Sequence, residues 1–148
     1  MDEEQEPEYY TGDEYDEEQE RAEAREAGKR ALSSLREARE CLTKASNWGL
    51  VDIFGGNFLS GAMKHARISE AQDKMAQAKA DIQLFQNELG DVKDMEGLKL
   101  DISGFLTFAD FFFDGAIADI LVQSRIENAK DSVDQAIAEV KKALSRLG

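Results

Sequence analysis

Apolar residues recur in alternating steps of three and four along three separate segments of this chain. A helix with this spacing presents one continuous apolar face, while the charged and amide residues between the stripe positions face water. The pattern therefore predicts three long amphipathic helices, near residues 20–46, 69–89 and 115–147, packed as an antiparallel coiled-coil-like bundle. The stripe residues are Ala31, Leu35, Ala38, Leu42 and Ala45; Ile68, Ala71, Met75, Ala78, Ile82, Phe85 and Leu89; and Ile126, Ala129, Val133, Ala136, Val140, Ala143 and Leu147.

The last two stripes lie 58 residues apart, and the match between them extends upstream. Alignment of residues 52–82 with residues 110–140 gives nine identities in 31 positions, where ordinary composition would give about two. We interpret this match as an internal duplication, with copies at about 48–89 and 106–147. Each copy begins with an apolar, aromatic-rich segment, which we call a leader. The first leader is Trp48–Met63 and the second is Phe105–Val122.

The segment between the two copies contains a short alternation of apolar and polar residues, Leu98–Ile102. This alternation is typical of a strand, but no second strand is evident to pair with it. We therefore expect an extended linker, with pairing to another chain as the alternative. The predicted fold class is all-α, with three long helices and with leaders that form short helices capping or bridging the bundle.

Acidic residues are concentrated at the start of the chain. Residues 1–20 contain eleven acids and no base, whereas the remaining residues hold twenty acids and eighteen bases. Dense like charge with few aliphatic side chains predicts an acidic disordered tail over residues 1–19, followed by a helical bundle domain over residues 20–148. We interpret the tail as a solubilising segment. The alternatives are an arm for a basic partner or a site of modification at Tyr9, Tyr10 and Tyr15.

Several features of the sequence bear on location and partners. The acidic start lacks the basic and apolar segments of a secretory signal, and the lone Cys41 cannot form an internal disulfide, so we expect a cytoplasmic protein. The sequence contains no basic patch with interleaved aromatic residues, so we do not expect a nucleic-acid partner. The apolar span 102–122 contains Asp110, Asp114 and Asp119. Inserting each aspartate near a bilayer centre would cost about 2.5–3.5 kcal/mol of free energy, which argues against membrane association.

Asp52 and Asp110 occupy equivalent positions in the two leaders, three residues after Gly49 and Thr107 respectively. An acid in the first turn of a helix interacts favourably with the helix dipole, so we interpret both aspartates as markers of helix starts. Ser69, followed three residues later by a glutamine, predicts a further start.

The duplication also repeats an arginine, at Arg67 and Arg125. We predict structural ion pairs of Asp52 with Arg125 and of Asp110 with Arg67, because bidentate arginine–carboxylate contacts can stabilise half-buried sites.

The aromatic residues of the leaders exceed what the core of three helices requires. They fall on several faces of one helix, so we expect them to pack inside the fold, to form a dimer interface or to line a pocket. The candidate interface or pocket residues are Trp48, Phe54, Phe58, Phe108, Phe111, Phe112, Phe113 and Asp114.

No catalytic, cofactor-binding or metal-ligating residue is predicted. Asp110 and Asp114 would share a helix face, but di-metal bundles supply Glu-x-x-His from facing helices, and the chain has one histidine, His65. The stretch FGGNFLSG lacks the Gly-Lys-Ser/Thr of a phosphate-binding loop. Cys41 has no histidine near it in sequence, so we interpret it as a packing residue.

The W-x-x-x-D-x-x-G-G pattern of residues 48–56, with the later F-A-D-x-x-x-D-G of residues 108–115, resembles a set of small uncharacterised bacterial helical proteins. The resemblance covers roughly Trp48–Arg125 and implies a bacterial cytosolic origin without any activity. We expect a non-enzymatic, self-associating interaction or adaptor module, with a second copy or another protein as partner. The alternative is a binding protein or enzyme with a small-molecule or metal site between the leaders, around Asp52, Asp110 and Asp114.

Overall fold

The computed structural model describes the backbone of residues 6–55, 58–95, 97–114 and 123–148, and the side chains of residues 16–45, 69–95, 97–110 and 126–148. Every regular element in these ranges is an α-helix, which confirms the predicted all-α class. Helix α1 spans Glu6–Gly55, α2 spans Phe58–Gly90, α3 spans Ser103–Asp114 and α4 spans Gln123–Leu147. None of the helices, as far as they are described, has the length and apolarity needed to cross a membrane.

The predicted apolar stripes form the core of the protein. Each stripe residue whose side chain is described is buried, from Ala31 in α1 to Leu147 in α4. Ala24 and Ala27 extend the buried face of α1 toward its N-terminus. Because most of the α1 stripe consists of alanines, the neighbouring helices can approach this helix closely.

Contacts between side chains define the helix directions. In α1, Arg21 donates from Nη1 to the carbonyl oxygen of Leu147 at 3.2 Å, and Arg39 donates from Nε to Oδ1 of Asp134 at 2.8 Å. The later residue of α1, Arg39, thus contacts the earlier residue of α4, Asp134. The two helices are therefore antiparallel.

Helix α2 is also antiparallel to α1. Ser34 and Glu37 of α1 contact Asp81 and Lys74 of α2, respectively. Gln86 of α2 contacts Leu98, which precedes α3, whereas the earlier residue Lys79 of α2 contacts Asp110 within α3. Helix α3 is therefore antiparallel to α2 and runs in the same direction as α1. Since α1 and α3 each contact both α2 and α4, the four helices form an up-down-up-down bundle.

Two of the predicted helix starts lie inside continuous helices. Gly49 and Asp52 belong to the last turns of α1, and Ser69 lies within α2. A single glycine costs a helix only about 1 kcal/mol, so α1 can continue through Gly49. Helix α1 ends instead at Gly55, the first residue of the glycine pair.

The predicted start at Thr107 is also wrong. Helix α3 begins at Ser103, and the Thr107 hydroxyl donates a hydrogen bond to the Ser103 carbonyl at 2.9 Å. A threonine inside a helix commonly uses its hydroxyl in this way, toward the carbonyl four residues earlier. Asp110 therefore lies in the body of α3.

The two leaders differ in their relation to the helices. Residues 48–55 of the first leader form the end of α1 and residues 58–63 form the start of α2, so this leader is not a separate short helix. The second leader begins in a short helix of twelve residues, α3. The predicted start of the third long helix, near residue 115, falls outside the described residues, and the described part of α4 begins at Gln123.

Helix α1 begins at Glu6 and crosses most of the segment predicted as a disordered tail. No break in the helix marks the predicted boundary at residue 20. Extending an existing helix requires no new nucleus, so a folded bundle can carry helical structure into an acidic segment that would not form a helix alone.

The linker between α2 and α3 has no regular secondary structure over residues 98–102, and the Ile102 amide donates to the Leu100 carbonyl at 3.0 Å in a tight local turn. The side chain of Gln86 hydrogen-bonds the linker backbone. Its Nε2 donates to the Leu98 carbonyl and its Oε1 accepts from the Leu100 amide, both at 3.2 Å. Leu100 and Ile102 are buried, so the linker closes the core beside the end of α2.

Candidate functional site

The helix directions bring the described helical parts of both leaders toward the same end of the bundle. Helices α1 and α3 run toward this end, and α2 and α4 begin at it. We call it the leader end and define it by residues 46–55 of α1, 58–68 of α2, 111–114 of α3 and 123–125 of α4. Although the two leaders are almost sixty residues apart in sequence, the fold gives them one shared location.

Most candidate interface residues belong to helical backbone at the leader end. Their side chains lie outside the described residues for Trp48, Phe54, Phe58, Phe111, Phe112, Phe113 and Asp114. The exception is Phe108, which is half-buried and packs against the core beside the buried Phe105 and Ala109. Part of the second leader therefore belongs to the core of the bundle.

Asp110 forms an ion pair with Lys79 of α2. The carboxylate side chain is 58% exposed, so the pair lies at the surface. The predicted ion pairs involve Asp52, Arg67 and Arg125, whose side chains are outside the described residues, and these pairs stay predictions. Sequence reasoning missed Lys79 because only the packing of α3 on α2 brings it near Asp110.

A group of carboxylates lies at the other end of the bundle, where α1 passes the end of α2. Carboxylate oxygens of Glu20, Glu23 and Glu88 lie within 4.8 Å of one another. Burial raises the pKa of Glu88, with further contributions from Glu23 and Asp91. Burial also raises the pKa of Glu20, again followed by repulsion from neighbouring acids. Sequence reasoning did not single out this group, because it depends on the antiparallel register of α1 and α2.

Cys41 is buried in the α1 stripe and is 5% exposed. Burial raises the pKa of its thiol, and the negative charge of Glu70 adds to this effect. The thiol therefore stays protonated at neutral pH, whereas a nucleophilic or metal-binding cysteine needs the thiolate. The position agrees with the interpretation of Cys41 as a packing residue.

A polar contact interrupts the apolar interface between α1 and α2. The hydroxyl of Ser34 donates to Oδ2 of Asp81, and Nε2 of Gln77 lies 3.2 Å from each carboxylate oxygen. Ser34 and Asp81 are both buried. The hydroxyl and amide satisfy a carboxylate that would be costly to bury without partners, so the arrangement favours a structural role.

An open groove of about 550 Å³ lies between α2 and the linker that follows it. Its lining combines the amides of Gln83, Gln86 and Asn87 with Lys99 and an apolar floor that includes Leu100 and Leu106. Among the described residues of this lining, Lys99 is the one titratable side chain.

The fold and the described residues define an all-α helical-bundle protein. Comparison of the chain with protein-family models, curated proteins and solved structures finds no match. The function is therefore to be inferred from the geometry of this chain.

Proposed function

We propose that the protein is a non-enzymatic helical interaction module that forms a homodimer through its leader end. The observation that carries this proposal is the convergence of both apolar leaders at one end of the bundle, with a group of carboxylates at the other. Two copies joined at their leader ends would remove apolar surface from water and keep the acidic ends far apart. A two-fold axis would use the same surface of each copy.

The proposed architecture is a duplicated unit of helix, break and helix, in which α2 and α4 each pack on the long α1. The spacing of the core contacts on α1 supports the duplication. A Cβ atom at Gly28 would meet both Phe85 of α2 and Leu144 of α4, two residues that are 59 apart. Corresponding parts of the two copies thus contact the same turn of α1. The three long helices α1, α2 and α4 would then form a coiled-coil-like arrangement.

The titratable groups of the described residues favour a non-enzymatic role. Active sites commonly pair an acid or base of shifted pKa with a nucleophile or a second acid. The raised pKa of Cys41 keeps its thiol unreactive, and the raised pKa values of Glu20 and Glu88 belong to a surface group composed of carboxylates. We place the protein in the cytoplasm, where a free thiol is compatible with the redox conditions.

Sedimentation velocity of the full-length protein and of two leader variants tests the proposal. We expect the unmodified protein to sediment as a dimer, and Phe112→Ser and Phe58→Ser to shift it toward the monomer. Leu84→Ser is the matched control, since Leu84 is an exposed large apolar residue of α2 outside the leader end. It should leave the dimer intact. Circular dichroism would verify that each variant remains helical.

An unmodified protein that is monomeric at every concentration would overturn the proposal. A helical Phe112→Ser or Phe58→Ser variant that dimerises as tightly as the unmodified protein would place the interface elsewhere. If the monomer carried a bound small molecule or metal ion, the site between the leaders around Asp52, Asp110 and Asp114 would replace the interaction module as the function.

A further inference from the structure

Helix α1 continues well past the end of the bundle opposite the leader end. Glu20 and Glu23 lie beside Glu88 near the end of α2, and Arg21 donates to the last helical carbonyl of α4, at Leu147. Gln19 still lines a groove with Leu84 and Glu88 of α2, and the thirteen residues from Glu6 to Glu18 extend beyond both neighbouring helices, over about 20 Å at 1.5 Å per residue. We call residues 6–20 the acidic arm.

Like charges are spaced along the acidic arm so that they repel each other in a helix. Asp13 precedes Glu17, Glu14 precedes Glu18 and Asp16 precedes Glu20, each by four residues, and the arm contains no basic residue. Carboxylates at this spacing lie on the same helix face and destabilise the helix when both are ionised. The arm therefore gains stability as a helix when its charge is removed or screened.

The junction between the arm and the bundle adds to this repulsion. Glu20 and Glu23 of α1 face Glu88 of α2, with Asp16 and Asp91 close enough to raise the pKa of Glu20 further. The nearby arginines of α1 contact other groups or lie farther from these carboxylates. Arg21 and Arg25 donate to the Leu147 carbonyl at 3.2 and 3.4 Å, and Arg30 lies farther along the groove that contains Glu23 and Glu88. Lys93, in the turn after α2, is the nearest base along the chain from Glu88 and Asp91.

We propose that the acidic arm is a charge-controlled helix, which continues α1 when its carboxylates are neutralised or screened and unwinds toward the bundle when they are ionised and unscreened. The proposal goes beyond the interaction module, because it concerns the opposite end of the molecule and does not depend on dimerisation. It gives the long α1 a segment whose helix content responds to protons and to ionic strength.

The direction of the response follows from the sign of the repulsion. Burial and the charges of Glu23 and Asp91 make the ionised carboxylate of Glu20 less favourable in the helical arm than in an unwound chain, so the helical state binds a proton there more tightly. Its stability is highest at low pH and falls as the pH rises through the raised pKa values of Glu20 and Glu88. High salt should act in the same direction as acid because it screens exposed charges.

The test is the set of Cα chemical shifts of residues 6–19, measured by NMR on the full-length protein in low salt. At about pH 7.5 we expect coil-like shifts, and helical shifts should grow as the pH falls into the range in which carboxyl groups take up protons, about 4–5. Adding about 1 M NaCl at the higher pH should also restore helical shifts, since the Debye length is then about 3 Å. Shifts from residues 24–45 serve as the reference for an intact bundle.

Neutralising variants separate charge from other effects of pH. Asp13→Asn, Asp16→Asn, Glu17→Gln and Glu20→Gln combined should make the arm helical at about pH 7.5 without added salt. The matched control neutralises two exposed acids of the bundle, Asp73→Asn and Asp131→Asn, and should leave the arm coil-like. An arm that is fully helical in every condition, or that stays coil-like even in the neutralised variant, would overturn the proposal.

Discussion

The hydroxyl of Ser34 in α1 donates a hydrogen bond to the carboxylate of Asp81 in α2, at a point where both side chains are buried between the apolar stripes. This contact fixes the register of the two helices. A slip of one helix along the other would place the Asp81 carboxylate against alanine or leucine, where burial without a donor is costly. The contact therefore contributes specificity at an interface that is otherwise apolar.

Ser34→Ala should destabilise the protein by about 1–3 kcal/mol, because Asp81 loses its hydroxyl donor and keeps only the amide of Gln77. Urea unfolding followed by circular dichroism measures the change in free energy. Ser33→Ala is the matched control, since Ser33 is exposed, and it should change stability by less than about 0.5 kcal/mol. Equal losses in the two variants would show that the buried hydrogen bond does not stabilise the fold.

Gly28→Ala should destabilise the bundle although alanine is the better helix former. The new Cβ would lie 2.6 Å from Cδ2 of Leu144 and 2.8 Å from Cε1 of Phe85, and the Phe85 ring is fully buried. Overpacking of about 1–3 kcal/mol outweighs a gain in helix propensity of about 1 kcal/mol, for a net loss of about 1 kcal/mol.

Gly104→Ala is the control for the glycine prediction. Gly104 is helical too, but a Cβ at this position would have no neighbouring atom within 4 Å. The substitution should be neutral or stabilising by up to about 1 kcal/mol in thermal unfolding. A Gly28→Ala variant more stable than Gly104→Ala would show that the three helices can separate freely at Gly28.

Asp110→Asn should lower the free energy of unfolding by at most about 1 kcal/mol, since the pair of Asp110 with Lys79 lies at the surface. High salt should abolish the difference between the variant and the unmodified protein, because exposed charges are screened. A loss of about 3 kcal/mol or more would instead indicate a buried pair, as predicted from the sequence for Asp110 with Arg67.

Glu88→Gln should raise the melting temperature at neutral pH. Burial, Glu23 and Asp91 raise the pKa of Glu88 in the folded protein above its ordinary value of 4.5. The ionised form is thus disfavoured by folding, and the stability that the protonated form contributes is lost as the pH rises through the folded pKa. The advantage of the variant should shrink as the pH falls toward about 5. An unchanged or lower melting temperature at neutral pH, relative to an Asp73→Asn control, would contradict this assignment.

Cys41 should react with iodoacetamide at least about 100-fold more slowly in the folded protein than in urea, because its thiol is buried and its pKa is raised. Mass spectrometry of samples quenched over time gives both rates. Rapid alkylation of the folded protein would show that α1 opens around residue 41 far more often than a packed core allows.

The sequence predicted the buried faces of the helices better than their ends. The stripes of α1, α2 and α4 could be read directly, since a 3-4 repeat admits one buried face and the residues from Ala71 to Leu89 occupy it as expected. Helix ends depend on weaker local signals. Gly49 and Ser69 resembled start signals, but α1 and α2 continue as helices through these positions.

The polar contacts were beyond sequence reasoning for a related reason. Ser34 and Asp81 are 47 residues apart, and Lys79 and Asp110 are 31 residues apart. Each pair meets because of the register between helices. The stripes alone do not determine this register, since a shift by one 3-4 repeat would bury the same apolar faces. The carboxylates of Glu20, Glu23 and Glu88 depend on the same register.

Native mass spectrometry of the full-length protein, purified directly from cells, tests the central proposal most directly. If the leader end is a homodimer interface, the dominant species should have twice the chain mass of 16.5 kDa and no additional bound mass. A monomer carrying a ligand or metal ion would contradict the interaction module, and its extra mass would identify the class of molecule that the leader end binds.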